Sequence, residues 1–157
     1  MTKALILYNR HHQETRLAAE EIARGLSGAG PVLAVVSSVE ELSFRKVQGF
    51  GIVVLGSPAS PREASREARE LTAALPAGAL DRKTVSVFDV GPAASHGEGA
   101  EKLREALRQS DPGFHFAAPG ISVVLETRAH ELSEEEVARC RQFGERLNGL
   151  ATAAGAA

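Results

Sequence analysis

The sequence predicts an α/β three-layer sandwich, in which a five-stranded parallel sheet is covered by helices on both faces. Five short apolar segments alternate with segments that carry apolar residues at helical spacing. The first of these segments is apolar at successive positions, as a parallel strand buried on both faces requires. The 157 residues contain no internal repeat and no low-complexity linker, which indicates one domain.

The first strand and helix form a unit suited to binding an anion. Residues Lys3–Tyr8 predict a central strand, and the loop Asn9–Glu14 follows it. From Thr15 onward, Ala18 and Ile22 lie on one apolar helical stripe. A helix N-terminus has N–H groups without helical partners and a partial positive charge. We therefore expect this loop to direct hydrogen-bond donors at a negatively charged group.

The next elements continue the alternation of strand and helix. Val32–Val36 predicts a second strand, with a short helical piece around Glu40 after it. Ile52–Leu55 predicts a third strand. The helix after it should begin at Pro61, which fits a first helical position, with Ser60 as its cap.

The second half of the chain contains two further strands. Thr84–Phe88 predicts the fourth strand, and a glycine-rich stretch leads from it into a helix. Phe114–Ala117 and Ile121–Leu125 both have strand character but are split by Pro119 and Gly120. We expect one interrupted fifth strand, or an edge strand with a bulge.

The last helix has a capping-box pattern, with Ser133 as cap and Glu136 as its partner. Cys140 lies on this helix beside core positions and is interpreted as a small buried hydrophobic residue. The predicted domain spans residues 1–150, and residues 151–157 are expected to form a disordered tail.

Composition restricts the partners and the location of the protein. The formal net charge is −2, which gives no reason to expect nucleic acid or an anionic membrane surface as a partner. No run of eighteen apolar residues is present, so no transmembrane helix is predicted. The chain passes from Met1 directly into a predicted core strand, and we expect a cytoplasmic protein without a signal peptide.

Three loops leave the carboxyl ends of the predicted strands, where such sheets bind ligands. They are Asn9–Glu14, Gly56–Arg62 and Asp89–Gly99. They contain no phosphate-binding P-loop motif, no dinucleotide fingerprint and no G-x-S-x-G nucleophile. His11, His12 and Glu14 lack the spacing of a metal chelate, so no metal site is predicted. No acidic pair follows the first strand, which excludes a phosphoacceptor receiver domain.

A family resemblance extends from Lys3 to about Leu150. The chain resembles flavodoxin-like proteins in its first strand and helix, in Phe50–Pro58, in Phe88 with Gly91, Gly97, Gly99 and Ala100, and in Leu132–Glu136 with Phe143–Leu147. The resemblance implies the flavodoxin-like three-layer fold and a non-covalently bound flavin mononucleotide (FMN). It also implies a redox partner protein or a quinone-like substrate, and many relatives form homo-oligomers.

The phosphate loop departs from the family's pattern Ser/Thr-x-Thr-Gly-x-Thr. Laid over this chain, the pattern covers Arg10–Thr15 and matches only Thr15. Gln13 stands where the family has glycine, so this degenerate loop is retained only if Gln13 avoids positive φ. The resemblance assigns phosphate to Arg10, His11, His12, Gln13 and Thr15, with the cationic side chains replacing lost hydroxyls. The alternative is that Thr15 is an ordinary first-turn residue.

The two later loops would enclose the flavin ring under the same resemblance. Ser57, Pro58, Ala59 and Ser60 would line one side, and Asp89, Gly91, His96 and Gly97 the other. Neither loop contains an aromatic residue, and a carboxylate at Asp89 would lower the flavin potential if it faced the ring. The glycines equally suit a plain connection that opens a helix.

Two functions follow from these expectations. The first is an FMN-binding electron carrier or a small flavin-dependent reductase, in which no protein residue is assigned as an acid or base. The second is a flavodoxin-like binding or regulatory domain that has lost FMN, as the altered phosphate loop and the missing aromatic residues suggest. The sequence leaves both open.

Overall fold

The computed structural model describes residues 2–9, 13–41, 47–110, 116–125 and 131–156. Its five parallel strands are β1 (Thr2–Tyr8), β2 (Val32–Ser38), β3 (Ile52–Pro58), β4 (Thr84–Gly91) and β5 (Ile121–Val124). Its helices are α1 (Gln13–Gly28), α2 (Pro61–Ala74), α3 (Glu98–Ser110) and α4 (Glu134–Ala156). The strand order is β2-β1-β3-β4-β5. The predicted fold class is confirmed.

Side-chain alternation along the strands divides the core into two layers. On β1, Ala4 and Ile6 face α1 and α4, whereas Leu5 and Leu7 face α2 and α3. All four side chains are at most 2% exposed. β1 is apolar on both faces because each face is covered by a helical layer.

The helices α1 and α4 approach each other closely at a glycine. A Cβ atom on Gly25 would lie 2.8 Å from the Arg141 Cα atom, which is well inside van der Waals contact. Polar groups fix the same pair, because Arg141 Nε donates to Glu21 Oε2 at 2.8 Å. Asn148 Nδ2 donates to the Leu26 carbonyl oxygen at 2.9 Å. Helix α1 is thus held along its C-terminal half.

A second close approach joins β3 to β4. Gly56 and Phe88 are register partners, and a Cβ atom on Gly56 would lie 2.6 Å from Phe88 Cε1. The fully buried Phe88 ring therefore occupies the space over a strand position that has no side chain. This packing explains why glycine stands in the middle of a central strand.

The fifth strand is interrupted, as predicted. Phe116 forms an isolated parallel bridge with Val85, and pairing resumes where Ile121 meets Phe88. Between these two pairings, β4 covers three residue steps, from Val85 to Phe88, whereas the paired segment covers five, from Phe116 to Ile121. Gly120 has a φ of 92°, and a Cβ there would lie 2.5 Å from the Val87 carbonyl oxygen. The residues between the two pairings therefore leave the ladder, and the chain rejoins it directly after Gly120.

Several predicted boundaries are wrong. Helix α1 begins at Gln13 rather than Thr15, and β4 continues past Phe88 to Gly91. Helix α4 continues to Ala156, so residues 151–156 are helical instead of forming the predicted disordered tail. Propensity explains this extension, because alanine is the best helix former.

The predicted helix caps are confirmed only in part. Ser133 Oγ accepts a hydrogen bond from the Glu136 N–H at 3.2 Å, so this cap is present. The Glu136 carboxylate instead pairs with Arg139 at 2.7 Å, which leaves the capping box half formed. Ser60 precedes α2 without a side-chain capping bond, although Pro61 does open that helix. Among the described helices, none has the length and apolar character that a membrane span requires.

Candidate functional site

The carboxyl ends of β1, β3 and β4 lie side by side at one edge of the sheet. β2 and β3 flank β1 on opposite sides, so the chain reverses direction across the sheet between β1 and β3. Ligands of open parallel sheets bind at such a switch point, beyond the carboxyl ends of the strands. This edge is therefore the candidate site, and the three predicted loops leave from it.

The first loop contributes the N-terminus of α1. Arg10, His11 and His12 lie outside the described residues, so their predicted contact with phosphate stays a prediction. Gln13 is exposed and opens α1. Among described non-glycine residues only Arg82 has a positive φ, so Gln13 meets the condition for replacing the family's glycine.

The side chains that flank the first loop are buried. Thr15 is 1% exposed and lies in the first turn of α1. Asn9 directly follows β1 and is 3% exposed. Its Nδ2 donates to Glu70 Oε2 at 2.5 Å. This bond ties the end of β1 to α2, so the start of the loop has a fixed position.

The second loop begins later than predicted, because β3 extends through Pro58 and pairs there with β4. Ser57 is fully buried, and its Oγ donates to the Pro58 carbonyl oxygen at 2.7 Å. Pro58 and Ala59 are also buried, and the Ala59 N–H donates to the Val90 carbonyl oxygen at 2.9 Å. Of the four residues predicted to line a flavin ring, only Ser60 exposes part of its surface.

Asp89 does not face the edge of the sheet. Its side chain is fully buried, and Oδ2 accepts a hydrogen bond from the Ala100 N–H at 2.8 Å. Oδ1 accepts from the Ser122 hydroxyl, whose oxygen accepts in turn from the Gly97 N–H at 2.9 Å. The Asp89 side chain thus caps the N-terminus of α3, so the condition for its effect on a flavin potential, a carboxylate that faces the ring, is not met in this structure.

The third loop packs directly on the second. A Cβ on Gly91 would lie 2.7 Å from the Ala59 Cβ, and one on Gly99 would lie 2.9 Å from the Ala59 Cα. Both glycines thus permit contact between the bases of the two loops. Gly97, with a φ of 83°, completes the turn into α3.

The exposed part of the third loop borders a shallow cleft of about 500 Å³. His96 is exposed and lines it, together with Gly97 and the first turns of α3. Its remaining lining includes Glu98, Glu101, Lys102 and Glu105. Three carboxylates against one ammonium make this cleft unsuited to phosphate. Among the described residues, no group of three metal-ligating side chains is placed to hold an ion.

Sequence reasoning missed Ser122 and Asn9, which fix the third loop and the start of the first. A signal for Ser122 was present, because it is the only polar residue in the apolar segment Ile121–Leu125. In a buried strand, a single hydroxyl indicates a hydrogen-bond partner within the protein. Its partner, Asp89, is the only acidic or basic residue of β4 and is fully buried.

Comparison with known proteins identifies the fold. Neither protein-family models nor curated protein sequences give a match. Flavodoxin 1 from Bacillus cereus is 18% identical with a TM-score of 0.69, over 93% of this chain and 97% of that one. A short-chain flavodoxin associated with a bacterial microcompartment is 18% identical with a TM-score of 0.70, over 96% and 99%. The flavodiiron protein of Giardia intestinalis is 15% identical with a TM-score of 0.66, over 98% of this chain and 36% of that one.

Proposed function

We propose that this chain, which has the flavodoxin-like fold, binds FMN non-covalently at the carboxyl edge of its sheet. The observation that carries the proposal is the N-terminus of α1, which begins at Gln13 beside the switch point between β1 and β3. A phosphate at a helix N-terminus is favoured by backbone N–H donors and by the helix dipole. The structural neighbours described as flavodoxins support the choice of ligand.

The residues around α1 fit the phosphate half of FMN. The Thr15 hydroxyl belongs to the first turn of the helix, where it lies near the N–H groups that would bind phosphate. Arg10, His11 and His12 would add charge-assisted hydrogen bonds in place of the hydroxyls that the loop lacks. Glu14 opposes this arrangement with a nearby carboxylate.

The described residues fit the flavin ring less well. Ser60, Gly91, His96 and Gly97 retain exposed surface, whereas Ser57, Pro58, Ala59 and Asp89 are buried. The ring would therefore gain little stacking energy, since the second and third loops contain no Phe, Tyr or Trp. We expect the phosphate contacts to contribute most of the affinity.

Bound FMN would supply the redox chemistry, while the protein would position the ring and limit its access to water. Under this proposal the chain acts as an electron carrier or a small flavin-dependent reductase. Its counterpart is a redox protein or a quinone-like small molecule. No side chain of the described site is assigned as a proton donor or acceptor in the reaction.

A second candidate function is a binding or regulatory domain that works without flavin. The observation that favours it is the direct packing of the second loop on the third. Hydrogen bonds of Asp89 and Ser122 also fix the third loop to the sheet. The carboxyl edge of the sheet would then bind a small anion at the N-terminus of α1, or it would bind another protein.

Titration of the purified chain with FMN distinguishes the two functions. We expect quenching of flavin fluorescence and a protein-bound absorption band at about 450 nm, as flavoproteins show. Riboflavin, which lacks the phosphate, is the matched control ligand and should bind at least about tenfold more weakly if phosphate contacts dominate. A protein that remains colourless in excess FMN supports the second candidate.

A further inference from the structure

Strand β2, at one lateral edge of the sheet, carries two apolar side chains that the described residues leave partly exposed. It is an edge strand, and among the described strands it pairs only with β1. Leu33 is 48% exposed and Val35 is 38% exposed, and neither belongs to the two core clusters. Their side chains lie on the same face of the sheet as Leu5, the face that α2 and α3 cover at the central strands.

The two edges of the sheet are built differently. β5 has only four residues, and it is separated from the bridge at Phe116 by an interruption, both of which hinder pairing with another chain. β2 has seven regular residues, Val32–Ser38, without a charge or a proline. An exposed apolar edge without protective devices is a template for pairing with another strand.

We propose that β2 pairs with β2 of a second copy of this chain, antiparallel and about a twofold axis at Ala34. The two sheets then form one continuous sheet of ten strands. In this register Leu33 lies opposite the second copy's Val35, and Val32 opposite the second copy's Val36. The apolar side chains that are exposed in one chain thereby cover one another.

Charge is the reason to choose a second copy over another partner. Residues near a twofold axis face their own copies, so a charge there would repel itself. β2 has none, whereas the acidic pair Glu40 and Glu41 follows its carboxyl end. Antiparallel pairing places the two acidic pairs at opposite ends of the interface, while parallel pairing would bring them together.

Sedimentation of the full chain over about 1–100 μM tests the proposal, because self-association depends on concentration. We expect a species of twice the 16.6 kDa chain mass. Val35→Lys should raise the dimer dissociation constant at least tenfold, because it would place an ammonium group opposite an apolar side chain. Leu150→Lys is the matched control, since Leu150 is 37% exposed on α4, and it should leave the dimer unchanged.

Two results would overturn the proposal. One is a wild-type chain that sediments at the monomer mass over the whole concentration range, which would mean that the edge is covered within the chain or remains solvated. The other is a Val35→Lys variant with a native circular dichroism spectrum and an unchanged dimer, which would place the contact elsewhere. If Val35→Lys does not fold, Leu33→Lys provides the same comparison.

Discussion

Helices α1 and α3 both begin at the carboxyl edge of the sheet, but the protein anchors them at opposite ends. Helix α3 is held at its N-terminus, where Asp89 accepts a hydrogen bond from the Ala100 N–H. Helix α1 is held along its C-terminal half, where Gly25 contacts Arg141 and Asn148 donates to Leu26.

The difference shows which helix is suited to a ligand. A helix N-terminus attracts one anion, and at α3 the protein supplies that anion itself in the form of a buried carboxylate. The anchors of α1 lie away from the edge, so none of them occupies its N-terminus, although Glu14 places one carboxylate in its first turn. We therefore place the proposed phosphate at α1, and the following experiments test the contrast between the two helices.

The largest expected effect comes from Asp89→Ala. The substitution leaves the buried Ala100 N–H and Ser122 hydroxyl without their acceptor, and should lower the free energy of unfolding by about 4 kcal/mol. Urea denaturation measures this loss. Glu98→Gln is the control, because this exposed carboxylate in the first turn of α3 should contribute less than about 0.5 kcal/mol. Equal losses in the two variants would contradict the capping role of Asp89.

Gly25→Ala tests the anchor of α1. The added Cβ overlaps the Arg141 backbone, so α1 and α4 must separate, at a cost of about 3 kcal/mol in the free energy of unfolding. Gly28→Ala is the matched control, because a Cβ at Gly28 meets no atom within 4 Å and alanine is the better helix former. Thermal unfolding should separate the two variants clearly, and a neutral Gly25→Ala would show that α1 is not fixed there.

Thr15→Val tests the proposed phosphate contact. If the hydroxyl binds phosphate, the substitution should weaken FMN binding by about 1–3 kcal/mol, because valine keeps the shape of threonine but removes the hydrogen bond. Fluorescence titration gives the dissociation constant. Thr72→Val is the control, since that hydroxyl bonds to Arg69 within α2. An unchanged affinity in Thr15→Val would remove Thr15 from the site.

Counted per pH unit, the smallest expected effect is a pH dependence of stability at the seam between α1 and α4. Burial raises the pKa of the Cys140 thiol from its ordinary value of 9.0 to about 12. From pH 9 to about pH 12 the unfolded chain loses this proton while the folded chain keeps it, so stability falls as the pH rises. The expected slope is about 1 kcal/mol per pH unit. Cys140→Ala should show a shallower slope in denaturation at these pH values, whereas identical slopes would contradict the burial of the thiol.

The sequence was sufficient to predict the fold because strand burial and helix periodicity are local patterns. The two-sided burial of β1 and the interruption of the fifth strand at Gly120 were both visible in the pattern of apolar residues and turn formers. The end of α4 could not be predicted in this way, since a run of small residues fits a helix as well as a disordered tail.

The site was harder to predict because its residues are placed by contacts that are distant in sequence. The side chain of Asp89 is directed inward by Ser122, which is 33 positions away, and a family alignment alone placed it beside a ligand. Ser57 is buried because β3 continues to pair with β4 beyond the predicted end of the strand. Such pairing depends on register, which single-sequence patterns do not determine.

The packing of Phe88 over Gly56 has an evolutionary consequence. Because the ring fills the volume that a side chain at position 56 would need, neither residue can change freely alone. We expect the two positions to covary among homologues, so that a larger residue at 56 accompanies a smaller one at 88. Independent drift at these two alignment columns would mean that other sequences with this fold fill the space differently.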